Sequence, residues 1–184
     1  DLGVLYETLA HEGYPGHLYF FNYVKQQGWH PINFFVSNIG FEEGWAEYAA
    51  RLSLDSWGLD PDMMEVIFLD QEFSYLLMGL SDIGINYGGW TVDDVYDLWE
   101  TYFYLDSAED VRDVYDACMA EPGTILSYSI GYYQICDLEE EVKEMLGESF
   151  DHNEFVTELL SVGGASFDIT RSYIMEWANE KLHG

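Results

Sequence analysis

Basic residues are scarce in this sequence. Its 184 residues include six lysines and arginines against 35 aspartates and glutamates, which gives a formal net charge of -29 at pH 7. A surface of this sign repels phosphate backbones and anionic lipid headgroups, and it attracts cations. Nucleic-acid binding is therefore excluded as a function.

Long apolar runs and closely spaced cysteines are also missing. No run approaches the roughly 18 to 20 apolar residues that a membrane helix needs, so no transmembrane segment is expected. The two cysteines, Cys118 and Cys136, are far apart compared with the C-x-x-C spacing of metal and redox sites. A disulfide between them is one alternative; burial as small apolar side chains on helices is the favoured one.

Alternation of apolar and polar residues is rare, and apolar residues instead recur with the helical period. The fold class is therefore predicted to be all-α, as a single helical domain over residues 1–184. Because a helical pattern is already present at the first residues, we expect a piece of a longer chain. Asp60 before Pro61 and Thr91 three residues before Asp94 predict helix starts. The predicted helices span 2–14, 17–27, 41–57, 61–85, 92–105, 108–120, 124–146 and 151–182, the last with a break near Gly163.

The strongest chemical signal is the segment His11-Glu12-Gly13-Tyr14-Pro15-Gly16-His17. It begins like the zinc-binding motif H-E-x-x-H, but the second histidine comes two residues late. On an unbroken helix His17 would lie about 120° around the axis from His11, too far to share an ion. Pro15 and Gly16 predict a break in the helix here. Such a break can turn His17 back toward a metal held by His11, with Glu12 as general base.

A third metal ligand is expected from the segment Phe41 to Tyr48. Trp45, Tyr48, Ala49 and Leu52 form one apolar stripe, and Glu43 points away from it toward small residues. Small residues allow a neighbouring helix to come close, so Glu43 is the favoured ligand. Glu42 and Glu47 remain alternatives. Two histidines and a glutamate would leave a fourth zinc position for water.

These residues carry a resemblance to a known family. H-E-x-x-P-G-H followed by E-G-W-A-x-Y is similar to a large family of bacterial zincin-like proteins, often described as lipoproteins of unknown function and grouped with the gluzincin peptidases. Weaker matches extend along nearly the whole chain. The resemblance implies Zn²⁺ held by His11, His17 and Glu43. It also implies the C-terminal catalytic portion of a gluzincin, with a sheet upstream of these residues, in an exported bacterial protein that is free or lipid-anchored.

The activity implied is that of a zinc-dependent peptidase. A metal-activated water would attack a peptide carbonyl, with Glu12 taking and returning the proton. The run from Tyr128 to Tyr133 resembles a tyrosine-containing stretch of thimet-type oligopeptidases that faces the scissile carbonyl. Tyr128 is therefore the candidate oxyanion donor, and Tyr132 and Asn86 are candidate substrate contacts. Without the upstream sheet, residues 1–184 alone are expected to cleave peptides weakly or not at all.

Two other functions remain open at this point. The chain departs from the family pattern at Asn86, Ala117, Cys118 and Val156, positions that the resemblance places near substrate. These departures favour one alternative, a non-catalytic binding protein that keeps its metal. A further alternative is a metal-dependent hydrolase of a small non-peptide amide.

Overall fold

The computed structural model describes residues 2–29, 32, 35–36, 38–58 and 60–183. Within this part of the chain the regular structure is helical and no strand is present, which confirms the predicted all-α class. The α-helices are α1 Leu2–Glu12, α2 His17–Gln26, α3 Ile39–Ser53, α4 Pro61–Asn86, α5 Val92–Trp99, α6 Arg112–Ala120, α7 Leu126–Leu146, α8 His152–Val162 and α9 Phe167–His183.

The helix starts follow the capping signals in the sequence. Asp60 accepts a hydrogen bond from the Met63 amide at the start of α4. Thr91 and Asp94 form a reciprocal capping box at the start of α5. Both arrangements satisfy backbone amides that a helix start otherwise leaves unpaired. These two predicted starts are confirmed.

Several helix ends differ from the sequence-based expectation. α1 stops at Glu12 instead of residue 14, and α5 stops at Trp99 instead of residue 105. Beyond α5 the chain tightens, because the Tyr102 amide bonds to the Trp99 carbonyl three residues back. The predicted helix 108–120 begins as a 3₁₀ turn, Ala108–Val111, before α6. The expected break at Gly163 separates α8 from α9.

Helix α3 lies at the centre and packs against α1, α2 and α7. Its backbone comes closest to α7 where Gly44 meets Gly131; a Cβ on Gly44 would lie only 2.3 Å from the Gly131 carbonyl carbon. Trp45 and Tyr48 are buried in the main core, as expected for their stripe, but Leu52 is largely exposed. The prediction for Leu52 is wrong: this side chain lies in the last turn of α3 and is 47% exposed.

The apolar core has two parts. The larger joins α2, α3, α7, α8 and α9, and includes Phe41, Ile135 and Phe155. The smaller lies at the C-terminal end of α4 with α5 and α6, around Val95 and Cys118. Cys118 and Cys136 are both free, so the disulfide alternative is wrong. Among the described residues no helix is both long and apolar enough to cross a lipid bilayer.

The acidic surface makes the stability of this fold dependent on salt. Among the described residues five basic side chains contact carboxylates, and six lysines and arginines in all cannot pair with most of the 35 acidic residues. Because the Debye length falls from about 10 Å at 0.1 M salt to about 3 Å at 1 M, added salt weakens their mutual repulsion. We expect 1 M NaCl to raise the unfolding temperature by roughly 5 °C or more, about 2 kcal/mol for a chain of this size.

Calorimetry across a NaCl series measures this shift. Sucrose at matched osmolality is the control, because it stabilises compact states without screening charge. A flat or falling unfolding temperature with NaCl would contradict the expectation.

Candidate metal centre

The break between α1 and α2 brings the two histidines of the motif to one point. α1 ends at Glu12 and α2 begins at His17. The Gly16 amide bonds to the Ala10 carbonyl, which holds the start of α2 against the end of α1. A Cβ on Gly16 would lie 1.8 Å from the His11 carbonyl oxygen, so only glycine fits here. The Tyr14–Pro15 peptide bond in this turn is cis.

Both imidazoles approach one carboxylate on α3. Nε2 of His11 lies 3.3 Å, and Nε2 of His17 lies 3.2 Å, from the same Oε2 atom of Glu43. One ligand atom from each of the three residues fits within a 4.8 Å span. Ligands at zinc-bond length in a tetrahedron stand roughly 3.4 Å apart, so the two distances between the histidines and Glu43 are compatible with a zinc site.

The alternatives to Glu43 lie elsewhere. The carboxylate of Glu42 lies beside Gly164, in the turn between α8 and α9. Glu47 lies one helical turn beyond Glu43, and its Oε1 atom is 3.0 Å from Nδ1 of His11. A carboxylate on the far nitrogen of a ligating histidine fixes the ring and leaves Nε2 free for the metal. Glu47 is therefore placed to orient His11.

Further polar side chains lie close to Glu47 and His11. The buried Glu7, one turn before His11, shares a potential ligand cluster with His11 and Glu47. Gln71 on α4 donates hydrogen bonds to Glu7 and to the Tyr75 hydroxyl. Burial raises the pKa of Glu7, the charge of Glu47 raises it further, and the bond from Gln71 partly offsets both. These contacts tie α1, α3 and α4 together around His11.

The charges of this cluster favour a cation at its centre. Burial alone would lower the pKa of His11, but hydrogen bonds and charges from Glu43 and Glu47 raise it to about 10. Burial opposes ionisation of Glu43, yet its bonds to His11 and His17 lower its pKa to about 2. The carboxylates thus favour a protonated His11. A metal ion can replace that proton, which is then released.

Tyr128 on α7 lies over the same cluster. Its ring stacks on His11, with centroids 6.0 Å apart, and on Tyr75 at 4.9 Å. Burial raises the pKa of Tyr128 to about 12, and the neighbouring Glu43 carboxylate adds to the shift. The Tyr128 hydroxyl therefore keeps its proton at neutral pH and can donate a hydrogen bond.

Glu12 and Tyr132 are both close to Tyr128. Glu12 is exposed at the end of α1 and interacts electrostatically with Tyr128. Tyr132, one turn after Tyr128, shares a small pocket with Tyr128, Glu47 and Phe68, where its ring meets the ring of Phe68.

Asn86 is the last residue of α4, beside the smaller of the two apolar cores. Its amide donates to Asp82 and to the Cys118 carbonyl. Of the other departures from the family pattern, Cys118 is buried in the smaller core, and Val156 packs against the larger one. The structure brings together His11, His17, Glu43 and Tyr128, and it places Asn86 with α6.

The comparisons with known proteins place the whole region in one family. A model for bacterial proteins of unknown function, DUF885, matches residues 4–174, nearly the full chain. This chain belongs to DUF885. No curated protein matches it significantly.

Two solved structures share the DUF885 fold seen here. One, described as a putative lipoprotein from Colwellia psychrerythraea, is 24% identical with a TM-score of 0.80, and the match covers 95% of this chain and 30% of that one. The other, described as a putative lipoprotein of unknown function from Shewanella oneidensis, is 23% identical with a TM-score of 0.77, covering 94% and 31%. This chain therefore spans just under a third of the length of these relatives.

Sequence reasoning missed that Glu47 and Glu7 both lie beside His11. The signal was present, since Glu7 precedes His11 by four residues and Glu47 follows Glu43 by four. Residues four apart share one face of a helix. His11 and Glu43, the candidate ligands on α1 and α3, therefore each have a second carboxylate one turn away on the same face of their helix.

Proposed function

We propose that His11, His17 and Glu43 form the zinc centre of a peptidase of the zincin type. The observation that carries the proposal is the approach of both Nε2 atoms to a single Glu43 oxygen, 3.3 and 3.2 Å away. Glu47 on Nδ1 of His11 supports it, because that contact directs Nε2 inward. A zinc ion held there would supply a Lewis acid and lower the pKa of bound water.

The surrounding side chains account for the proton and the developing charge. Glu12 adjoins His11 and faces solvent, where its carboxylate can accept a proton from water as the oxygen bonds to the peptide carbonyl carbon. The same carboxyl group then gives that proton to the amine as the C–N bond breaks. The Tyr128 hydroxyl donates a hydrogen bond to the carbonyl oxygen as negative charge develops on it.

The location proposed for this activity is outside the cytoplasm, at the bacterial cell envelope. Both solved relatives are described as putative lipoproteins, which supports this location. The substrate class proposed is peptides.

The variant Glu12→Gln tests the proposed base. In the full-length protein we expect it to keep zinc while peptide cleavage falls by roughly 10² to 10³-fold, because an amide cannot accept the proton. Glu43→Gln should instead weaken zinc binding, since it removes a ligand charge. Cleavage of a mixed peptide library and zinc content per chain are the two readouts.

The matched control is Glu176→Gln, which changes an exposed glutamate on α9 and should leave both readouts unchanged. Equal zinc loss in the Glu12 and Glu43 variants would place Glu12 among the ligands and contradict the assigned roles. Failure of the zinc-loaded full-length protein to cleave any library peptide would contradict the peptidase function.

A further inference from the structure

Helix α4 carries a second apolar face that nothing in the described structure fully covers. One side of α4 is buried against the rest of the fold, through Met64, Phe68 and Leu77 among others. A separate stripe is between 36% and 65% exposed along almost the whole helix. This stripe, called the α4 seam below, consists of Val66, Leu69, Phe73, Leu76, Leu80 and Ile83.

The spacing of the seam specifies the kind of partner. Successive seam residues are three and then four positions apart. This spacing is that of the two apolar positions, a and d, of a heptad repeat, and it continues for nearly three repeats. Helices with this pattern pair with another helix, and the a and d side chains of each insert between side chains of the other. Only Phe73 has aromatic neighbours on the seam, Tyr102 and Phe103, among the described ring contacts. The remaining seam is long enough for a helix of several turns.

The charges beside the seam argue against a second copy of this chain as the partner. Glu65, Asp70 and Glu72 occupy the heptad positions that flank it. Two copies would bring these carboxylates, and two net charges of -29, into proximity. Opposite charges at such flanking positions select partners in helical pairs. The seam therefore favours a helix with lysine or arginine beside its apolar stripe.

The length of the relatives supplies a source for such a helix. The match to the two solved structures covers 30% and 31% of their chains, so most of each relative is further polypeptide. We propose that the α4 seam binds an amphipathic helix with basic flanking residues, contributed by polypeptide outside residues 1–184. This partner covers the apolar stripe and places basic side chains beside Asp70 and Glu72, while Glu65 keeps its ion pair with Arg51.

A designed helix can serve as the probe for this surface. The probe is a fluorescein-labelled peptide of about 28 residues, four heptads, with leucine and isoleucine at the two apolar heptad positions and lysine at the flanking ones. A second peptide has the same composition in an order without the heptad, which controls for attraction to the overall charge. Fluorescence anisotropy at about 0.15 M NaCl, close to physiological ionic strength, gives the Kd of each for the 184-residue chain.

We expect the heptad peptide to bind at least tenfold more tightly than the permuted one. The double variant Leu69→Lys and Leu76→Lys should weaken its binding at least tenfold. Ile169→Lys, which changes an exposed residue on α9, should leave it unchanged. If circular dichroism shows that the double variant is unfolded, Val66→Lys at the most exposed seam position replaces it.

Three results would overturn the proposal. The first is equal binding of the two peptides, and the second is no loss of binding in the seam variants. The third is a dimer in sedimentation that the seam substitutions abolish, since a second copy would then be the occupant.

Discussion

Replacing His11 or His17 with alanine is expected to weaken zinc binding by roughly two to four orders of magnitude. Structural zinc sites bind with about 10 to 16 kcal/mol, and each of three ligands carries about a third of that free energy. The structure supports equal importance for the two histidines, because their Nε2 atoms lie at nearly the same distance from Glu43. Competition with a chromogenic chelator gives the zinc affinity of each variant.

The control for this experiment is His183→Ala. His183 is exposed in the last turn of α9 and should contribute nothing to the site. The competing chelator also removes zinc that binds weakly to surface carboxylates, which matters in a chain with 35 acidic residues. Wild-type affinity in both the His11 and the His17 variant would show that zinc binds elsewhere.

The variant Gly44→Ala is expected to lower the free energy of unfolding by about 3 kcal/mol or more. The added methyl group would lie 2.3 Å from the backbone of Gly131, and backbone atoms cannot turn away as a side chain can. Helices α3 and α7 would have to separate along their closest contact. Because Glu43 adjoins this contact, the same variant should also disturb the position of the carboxylate. Urea unfolding followed by circular dichroism measures the change.

Gly40→Ala provides the matched control on the same helix. A Cβ at Gly40 would meet only the Asn38 side chain at 3.3 Å and the Phe167 ring at 3.7 Å, so a small effect is expected. The reciprocal variant Gly131→Ala would place its Cβ 2.0 Å from the Gly40 carbonyl oxygen and should be as damaging as Gly44→Ala. Similar stability of the Gly40 and Gly44 variants would contradict the close approach of α3 and α7.

The helical class and most helix starts could be predicted because their causes are local. Asp60 and Thr91 cap the amides of the next few residues, so the signal lies within four positions of the sequence. The ends of α1 and α5 were less predictable. The end of α5 depends on the bond from the Tyr102 amide to the Trp99 carbonyl, and the end of α1 depends on the contact of Gly16 with α1.

The candidate ligands could be named from the sequence, but their arrangement could not. Glu43 and His17 are 26 residues apart, and only the packing of α3 beside α1 and α2 brings them to 3.2 Å. The sequence offered Glu47 as a possible replacement for Glu43, whereas the structure places it behind His11 on Nδ1. Asn86 was expected near substrate as a departure from the family pattern, yet its position depends on its contact with the Cys118 carbonyl on α6, which sequence spacing does not place.

Anomalous diffraction at the zinc edge, from crystals of the zinc-loaded chain, tests the central claim most directly. The account predicts one dominant peak within about 2.0 to 2.2 Å of Nε2 of His11, Nε2 of His17 and a carboxylate oxygen of Glu43. Glu47 should remain on Nδ1 of His11. A dominant peak between Glu7 and Glu47, or peaks only at surface carboxylates, would contradict the assignment of this metal centre.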